Sequence, residues 1–214
     1  MNALLLIDIQ NDFLPGGRLA VPAGDAIIPL ANALQPQFDL VVATQDWHPA
    51  GHQSFASSHA GRAPFDQIDL HGLPQVLWPD HCTQASAGAA LASSLDTKRI
   101  EAIFRKGTNV EIDSYSAFFD NGHRKSTGLA DYLRGRGVTD VFVAGLAGDY
   151  CVYYSALDAL AAGFAVAVIT DATRPISADG WAAAQADLKA KGVCLVESTA
   201  WRQDFTGACT ATRK

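Results

Sequence analysis

Cys151 ends the stretch Val141-Phe-Val-Ala-Gly-Leu-Ala-Gly-Asp-Tyr-Cys151, a β-branched run that breaks at two glycines and resumes as Val152-Tyr-Tyr-Ser-Ala-Leu-Asp-Ala-Leu160. The pattern predicts a buried strand, a tight turn and a helix whose first turn carries the thiol. At a helix start, unpaired N–H groups and the dipole lower a thiol pKa and offer donors to a developing oxyanion. A cysteine there can equally be a small apolar packing residue, and this stretch alone leaves both readings open. Two other apolar runs also end in charge: Ala3-Leu-Leu-Leu-Ile-Asp8 and Ile100-Glu-Ala-Ile-Phe-Arg-Lys106. Asp8 can be a turn carboxylate and Lys106 a solvated cation. Brought beside the thiol, they would serve as proton acceptor and counter-charge.

A second set of residues points to a metal. In Leu40-Val-Val-Ala-Thr-Gln-Asp46-Trp-His48-Pro, the carboxylate and imidazole alternate at period two, so an extended backbone aims both to one side. A carboxylate oxygen and an imidazole nitrogen so placed can share a divalent ion. His81, in Leu77-Trp78-Pro-Asp-His81-Cys82, can complete the site, and His52 is either a further ligand or a support for one. Singly, each histidine is a common hydrogen-bonding residue. Trp78 offers a flat face to a ring, while Phe13 and Tyr115 read as pocket wall or core. His59, His71 and His123 have no evident partner in the sequence.

These side chains need elements that deliver them to one place. Apolar runs at 3–8, 40–44, 100–106, 140–145, 164–170 and 193–197 read as strands, and residues 24–38, 87–95, 129–137, 152–163 and 179–191 as helices. About six strands alternating with helices predict a three-layer α/β/α fold with an open, mainly parallel, Rossmann-like sheet. Ligands of such sheets gather beyond the carboxyl ends of the strands, where Asp8, Asp46, Lys106 and Cys151 would all emerge. Residues 52–79 lack periodicity and are expected to form a loop over that edge. The polar segment 200–214 is expected to fray.

The chain has 214 residues, 49% of them hydrophobic, and a net charge of −6. One domain over residues 1–214 is the expectation. Basic residues gather in no group larger than a pair, such as Arg134 and Arg136, which argues against nucleic acid and anionic membranes as partners and favours a small ligand. The first apolar run is too short for a signal peptide, so a cytoplasmic location is expected. Cys82, Cys151, Cys194 and Cys209 lie far apart without a C-x-x-C pair, so neither a disulfide framework nor a zinc ribbon is expected.

Five segments, in order, carry a resemblance: Leu6-Ile-Asp8-Ile-Gln-Asn-Asp-Phe13, Gln45-Asp46-Trp-His48-Pro, Leu77-Trp78-Pro-Asp-His81-Cys, Arg105-Lys106-Gly-Thr-Asn and Gly145-Leu-Ala-Gly-Asp-Tyr-Cys151-Val. Over nearly its whole length the chain resembles the nicotinamidase/pyrazinamidase branch of the isochorismatase-like cysteine hydrolases. The resemblance implies hydrolysis of nicotinamide, and of pyrazinamide, through a thioester on Cys151, in NAD salvage. It implies Asp8, Lys106 and Cys151 as catalytic triad, and Asp46, His48 and His81 as ligands of one divalent ion, zinc ahead of iron or manganese. It further implies a cis Leu146-Ala147 peptide, an oxyanion hole from the N–H groups of Ala147 and Cys151, and a ring site against Phe13, Trp78 and Tyr115. Many relatives have Thr where this chain has Gly148. Left open are ligation by His52, monomer against homo-oligomer, a rival activity on carbamoyl or ureido substrates, and a catalytically silent binding protein on the same sheet.

Overall fold

The structure, a computed structural model, describes residues 1–202. In chain order the elements are β1 (Asn2–Ile7), α1 (Ile28–Leu34), β2 (Leu40–Asp46), β3 (Gln67–Leu70), β4 (Leu73–Val76), β5 (Ile100–Lys106), α2 (Leu129–Gly135), β6 (Asp140–Leu146), α3 (Tyr153–Ala161), β7 (Ala165–Arg174), α4 (Ala178–Lys191) and β8 (Cys194–Val196). Six strands form one parallel sheet in the order β5-β2-β1-β6-β7-β8. The chain leaves β1 toward one side of the sheet and later returns to β6 on the other. The strand order therefore reverses between β1 and β6, the place where such sheets open a crevice.

Alternation along the buried strands feeds two cores. Leu4 and Leu6 of β1 pack with Ile28, Ala31 and Leu34 of α1. Ala3, Leu5 and Ile7 pack on the opposite face with Leu129, Leu133, Ala156, Ala159 and Leu188 of α2, α3 and α4. Helices thus cover both faces, as the sequence predicts. At the active edge, Gly145 (φ +127°) is so close to β1 that an added Cβ would lie 2.2 Å from the Ile7 carbonyl oxygen. Only glycine lets the end of β6, and the turn carrying Cys151, approach Asp8 this closely.

Four expectations need correction. Residues 87–95 are a series of turns, because their carbonyls are spent on the loop after β1: Asn11 and Asp12 N–H donate to Ala90 and Gly88 C=O (3.0 Å each). The helix expected over 24–38 is reduced to α1 with a 3₁₀ turn on each side, Pro29 starting α1 and Pro36 lying in the second turn. The loop expected over 52–79 contains the β3–β4 hairpin, whose two-residue turn, His71-Gly72, has positive φ at both positions (54° and 83°). Trp201, placed in the polar tail, is buried and stacks on Phe38 at 4.5 Å; residues 203–214 of that tail lie outside the described residues. Cys194 is disulfide-bonded, while Cys82 and Cys151 are free. No helix among the described residues is long and apolar enough to cross a membrane.

Candidate active site

The strand ends bring Asp8, Asp46, Lys106 and Cys151 together in the interior. Lys106 Nζ donates to Asp46 Oδ1 (2.7 Å), to the Ser114 carbonyl (3.0 Å) and to Cys151 Sγ (3.4 Å). Its three protons are thereby used. Asp8 Oδ2 lies 2.8 Å from the same nitrogen, an ion-pair distance, yet its orientation leaves it without a hydrogen bond. Thr44 Oγ1 donates to Asp8 Oδ1 at 2.6 Å and accepts from the Asp8 N–H at 3.1 Å, which fixes the carboxylate's rotation. One Asp8 oxygen is therefore anchored and the other is available. Asp8, Asp46 and Cys151 each place an atom within 4.8 Å of the others, close enough for proton exchange with small movements.

Electrostatics of the cluster follow from burial. Removal from water raises the Asp8 carboxyl above its usual range, with Asp46 adding and Lys106 opposing. For Asp46 burial acts in the same direction, but Lys106 and His48 outweigh it and hold the carboxyl well below the usual range. Burial would lower Lys106; Asp46, Asp8 and Cys151 overcome it and keep the ammonium charged. Cys151 is pushed well up by burial and by the two carboxylates, against Lys106. This corrects the expectation drawn from its helix-start position. In a dry site with two anions the neutral thiol is favoured, and the proton leaves only when it has a basic neighbour to go to.

The backbone around the thiol is equally particular. The Leu146-Ala147 peptide is cis, as the resemblance implies. Gly148–Val152 then forms a single π turn ahead of α3, closed by Val152 N–H to Ala147 C=O (3.0 Å) and narrowed by Tyr150 N–H to the same oxygen (3.1 Å). Neither Ala147 N–H nor Cys151 N–H takes part in those two bonds.

On the other side of Asp46 lie the imidazoles. Nε2 of His48 and of His81 stand 3.3 and 3.5 Å from Asp46 Oδ2. Nδ1 of His48 is 3.0 Å from Gly107 C=O, and Nδ1 of His81 is 2.8 Å from Pro79 C=O. A carbonyl only accepts, so in each neutral ring the proton sits on Nδ1 and a lone pair on Nε2 faces the carboxylate. Nε2 of His48 has no hydrogen-bond partner among the described residues. Three electron-rich atoms pointing at one another call for positive charge among them, whether a metal ion or a proton, and Asp46 draws such charge onto His48, whose pKa rises despite burial. The donor set suits a divalent metal ion, oriented through the outer nitrogens in the usual way.

His52 is built in the opposite sense. Its ring lies 4.4 Å from that of His48, and His48, His52 and Asp113 form a further cluster of possible donors. The Ser54 N–H, however, donates to His52 Nδ1 at 3.1 Å, with Ser54 Oγ at 2.7 Å from the same atom. Nδ1 is thus the acceptor and Nε2 carries the proton. Burial, with His48 nearby, lowers the pKa to about 4, so the ring is neutral. A protonated Nε2 offers no lone pair to an ion.

One cavity joins the two groups, bounded by Asp46, His81, Ala147 and Cys151 and walled by Phe13, Leu19, Trp78, Tyr115, Tyr150 and Ile176. Phe13, Trp78 and Tyr115 are where the sequence suggests. Trp78 meets Tyr150 and Tyr115 edge-on, at 4.8 and 6.2 Å. A larger cavity of ≈ 510 Å³ opens beside Val138, Phe164 and Lys191, far from these reactive groups. Chemistry, not size, identifies the site. Residues that sequence reasoning passed over include Thr44, Asp113 and Gln10, whose side-chain amide pairs with both backbone groups of Asp46 (2.8 and 2.9 Å). Gln10 sits in the quoted Asp8 segment and Asp113 seven residues after Lys106, but nothing in their spacing states a role.

Comparisons with known proteins show the family and the fold. The profile of the Isochorismatase domain matches residues 2–200. A curated relative, the nicotinamidase of Escherichia coli, is 49% identical over 207 residues, covering 94% of this chain and 97% of its own. The solved Acinetobacter baumanii nicotinamidase/pyrazinamidase superposes with a TM-score of 0.90 at 45% identity, over 92% of this chain and 96% of the other. The pyrazinamidase of Pyrococcus horikoshii, solved in complex with zinc, gives a TM-score of 0.76 at 36% identity, over 92% of this chain and 98% of the other.

Proposed function

The chain belongs to the isochorismatase family, and from that premise we propose that it hydrolyses the carboxamide of nicotinamide to nicotinate and ammonia, with pyrazinamide as an alternative substrate. The observation that carries this reading is one cavity lined at once by the buried Cys151, by Asp46 and His81 of the donor cluster, and by the rings of Phe13, Trp78, Tyr115 and Tyr150. A flat heteroaromatic amide spans those features: its ring lies among Phe13, Trp78 and Tyr115, and its carbonyl carbon reaches Cys151. Asp46, His48 and His81 would hold a divalent ion, zinc ahead of iron or manganese, which when bound would supply a coordination position for the pyridine nitrogen. An aromatic site of this kind favours a ring amide over a small ureido substrate.

Asp8 Oδ2, the unanchored oxygen, takes the thiol proton as Sγ attacks the carboxamide carbon. Lys106 balances the negative charge as it passes from the Asp8 carboxylate to the sulfur. The N–H groups of Ala147 and Cys151 donate to the tetrahedral oxyanion; one such donor is worth about 3–4 kcal/mol in other acyl-transfer sites. Asp8 returns the proton to the amide nitrogen, the C–N bond breaks and ammonia leaves a thioester. Asp8 then takes a proton from water, whose oxygen attacks the same carbon, and the thiolate departs and is reprotonated. One water is consumed and one nicotinate formed, as a nicotinamide-recycling step in NAD salvage requires.

The test is a coupled ammonia assay on nicotinamide, with mass spectrometry of acid-quenched enzyme. An acyl group on Cys151 is the expected intermediate. Wild-type protein silent on nicotinamide with metal restored would refute the activity, and acylation confined to Cys82 would refute the mechanism.

A further inference from the structure

The β3–β4 hairpin lies outside the main sheet, and its strands are largely open to solvent. Gln75 on β4 is an exception: its residue is buried (4% exposed) and its side chain is directed into the protein. Its Nε2 lies 2.7 Å from Val76 C=O, 3.1 Å from Asp113 Oδ2 and 3.0 Å from Tyr115 Oη. A carbonyl and a carboxylate can only accept, so the amide nitrogen must face them. Two amide protons thus serve three oxygens, and a hairpin residue is fastened to segments 38 and 40 residues away.

Both partners border the reaction cavity. Tyr115 packs against Trp78, Tyr150 and Tyr154, with ring centroids 6.2, 5.4 and 5.3 Å away. Its phenol has two polar partners, the Gln75 amide and the Trp78 side chain, and the Gln75 bond is the one that ties the ring to the hairpin. Asp113 has its other oxygen on the Ser114 N–H (2.8 Å), so the carboxylate is held from both sides.

We infer that Gln75 is a positioning residue: its amide pins the Tyr115 phenol and the Asp113 carboxylate, and through Tyr115 it sets the width of the aromatic slot that receives the substrate ring. The hairpin is in this sense part of the binding site without touching the substrate. The inference rests on the reading given under Proposed function.

The experiment is a double-mutant cycle of Gln75→Leu and Tyr115→Phe, with steady-state kinetics on nicotinamide in metal-replete enzyme. Each single variant is expected to raise KM about 10-fold with kcat changed less than about 3-fold, the signature of lost ring positioning. The double variant is expected to be no worse than the poorer single, because both remove one link. A merely structural role would instead lower kcat with the active fraction and leave KM alone. Wild-type KM in a folded Gln75→Leu protein, or additive effects in the double variant, would overturn the inference. Should Gln75→Leu not fold, Tyr115→Phe still decides, since a wild-type KM there means that the phenol bond positions nothing. Wild-type protein inactive on nicotinamide removes the underlying reading and the inference with it, an outcome distinct from active wild type with an unmoved KM in the variants.

Discussion

On one side of Asp46 a lysine spends every N–H it has; on the other, two imidazole nitrogens face a carboxylate oxygen, and one of them, His48 Nε2, has no hydrogen-bond partner among the described residues. Asp46 Oδ1 bonds Lys106 at 2.7 Å, while Oδ2 faces His48 and His81. The thiol side, the reacting half of the proposed mechanism, thus carries its own counter-charge, and the histidine side, its anchoring half, gathers lone pairs around one carboxylate oxygen. Buried charge is costly unless paired, so the first half is balanced by its lysine, while the second suits a bound cation. The two halves should therefore fail differently when a residue is removed.

The largest loss belongs to the reacting half. Cys151→Ala is expected to reduce ammonia release by about 10⁴-fold or more, since the proposed acyl intermediate forms on its sulfur. Metal content should be unchanged by elemental analysis, because the thiol is directed to Lys106 and Asp8. A variant that loses both would mean that the halves are one unit.

Next in size is Lys106→Met, which strands two carboxylates in the interior. Turnover should fall by about 10²–10⁴-fold, and metal-free protein should lose about 3–5 kcal/mol of stability at pH 7. The sign of its pH dependence is fixed. Without the ammonium, the folded pKa values of Asp8 and Asp46 lie above their unfolded values, so the folded state binds more protons and stability falls as pH rises. Urea melts should show a smaller deficit at pH 5 than at pH 8; a deficit independent of pH would mean that Lys106 is not their counter-charge.

The anchoring half separates its histidines. His48→Ala should remove bound metal and lower kcat/KM by about 10–100-fold. His52→Ala should keep metal and lose only a few-fold, because Ser54 places the proton on its Nε2. Loss of metal from both variants would make His52 a ligand and invalidate the tautomer argument.

Much of this comparison can be read from the chain, because strand ends in a parallel sheet share one edge. A run such as Leu4-Leu-Leu-Ile-Asp8 thus states both its burial and where its last carboxylate goes. What cannot be read depends on long-range partners. The turns at 87–95 look helical by composition, but their carbonyls serve Asn11 and Asp12. The hairpin turn His71-Gly72 lacks the usual Asn-Gly signal. Gln75 and Asp113 have no pattern of their own, and their place comes from one amide reaching across the fold. The direction of the Cys151 pKa is hidden for a related reason: the local helix-start signal is visible in the sequence, whereas the two carboxylates and the depth of burial are tertiary facts.

The smallest effect concerns the turn itself, at Gly148. A Cβ at this position would lie 3.0 Å from both Thr173 Cγ2 and Trp181 Cε3. Trp181, on α4, fills the space that a side chain would occupy, so glycine here is compensated by a neighbour and is not a defect in the turn. Gly148→Thr is expected to cost about 1–3 kcal/mol of stability by overpacking, with a few-fold loss of activity as the Ala147 and Cys151 N–H groups shift. Trp181→Ala alone should destabilise by leaving a cavity. Combined with Gly148→Thr it should recover part of that loss, because the methyl and hydroxyl enter the vacated space. Thermal melts of the four proteins test the coupling. Strict additivity would mean that the glycine and the tryptophan are unrelated, and that the fixed geometry of the reacting half owes nothing to α4.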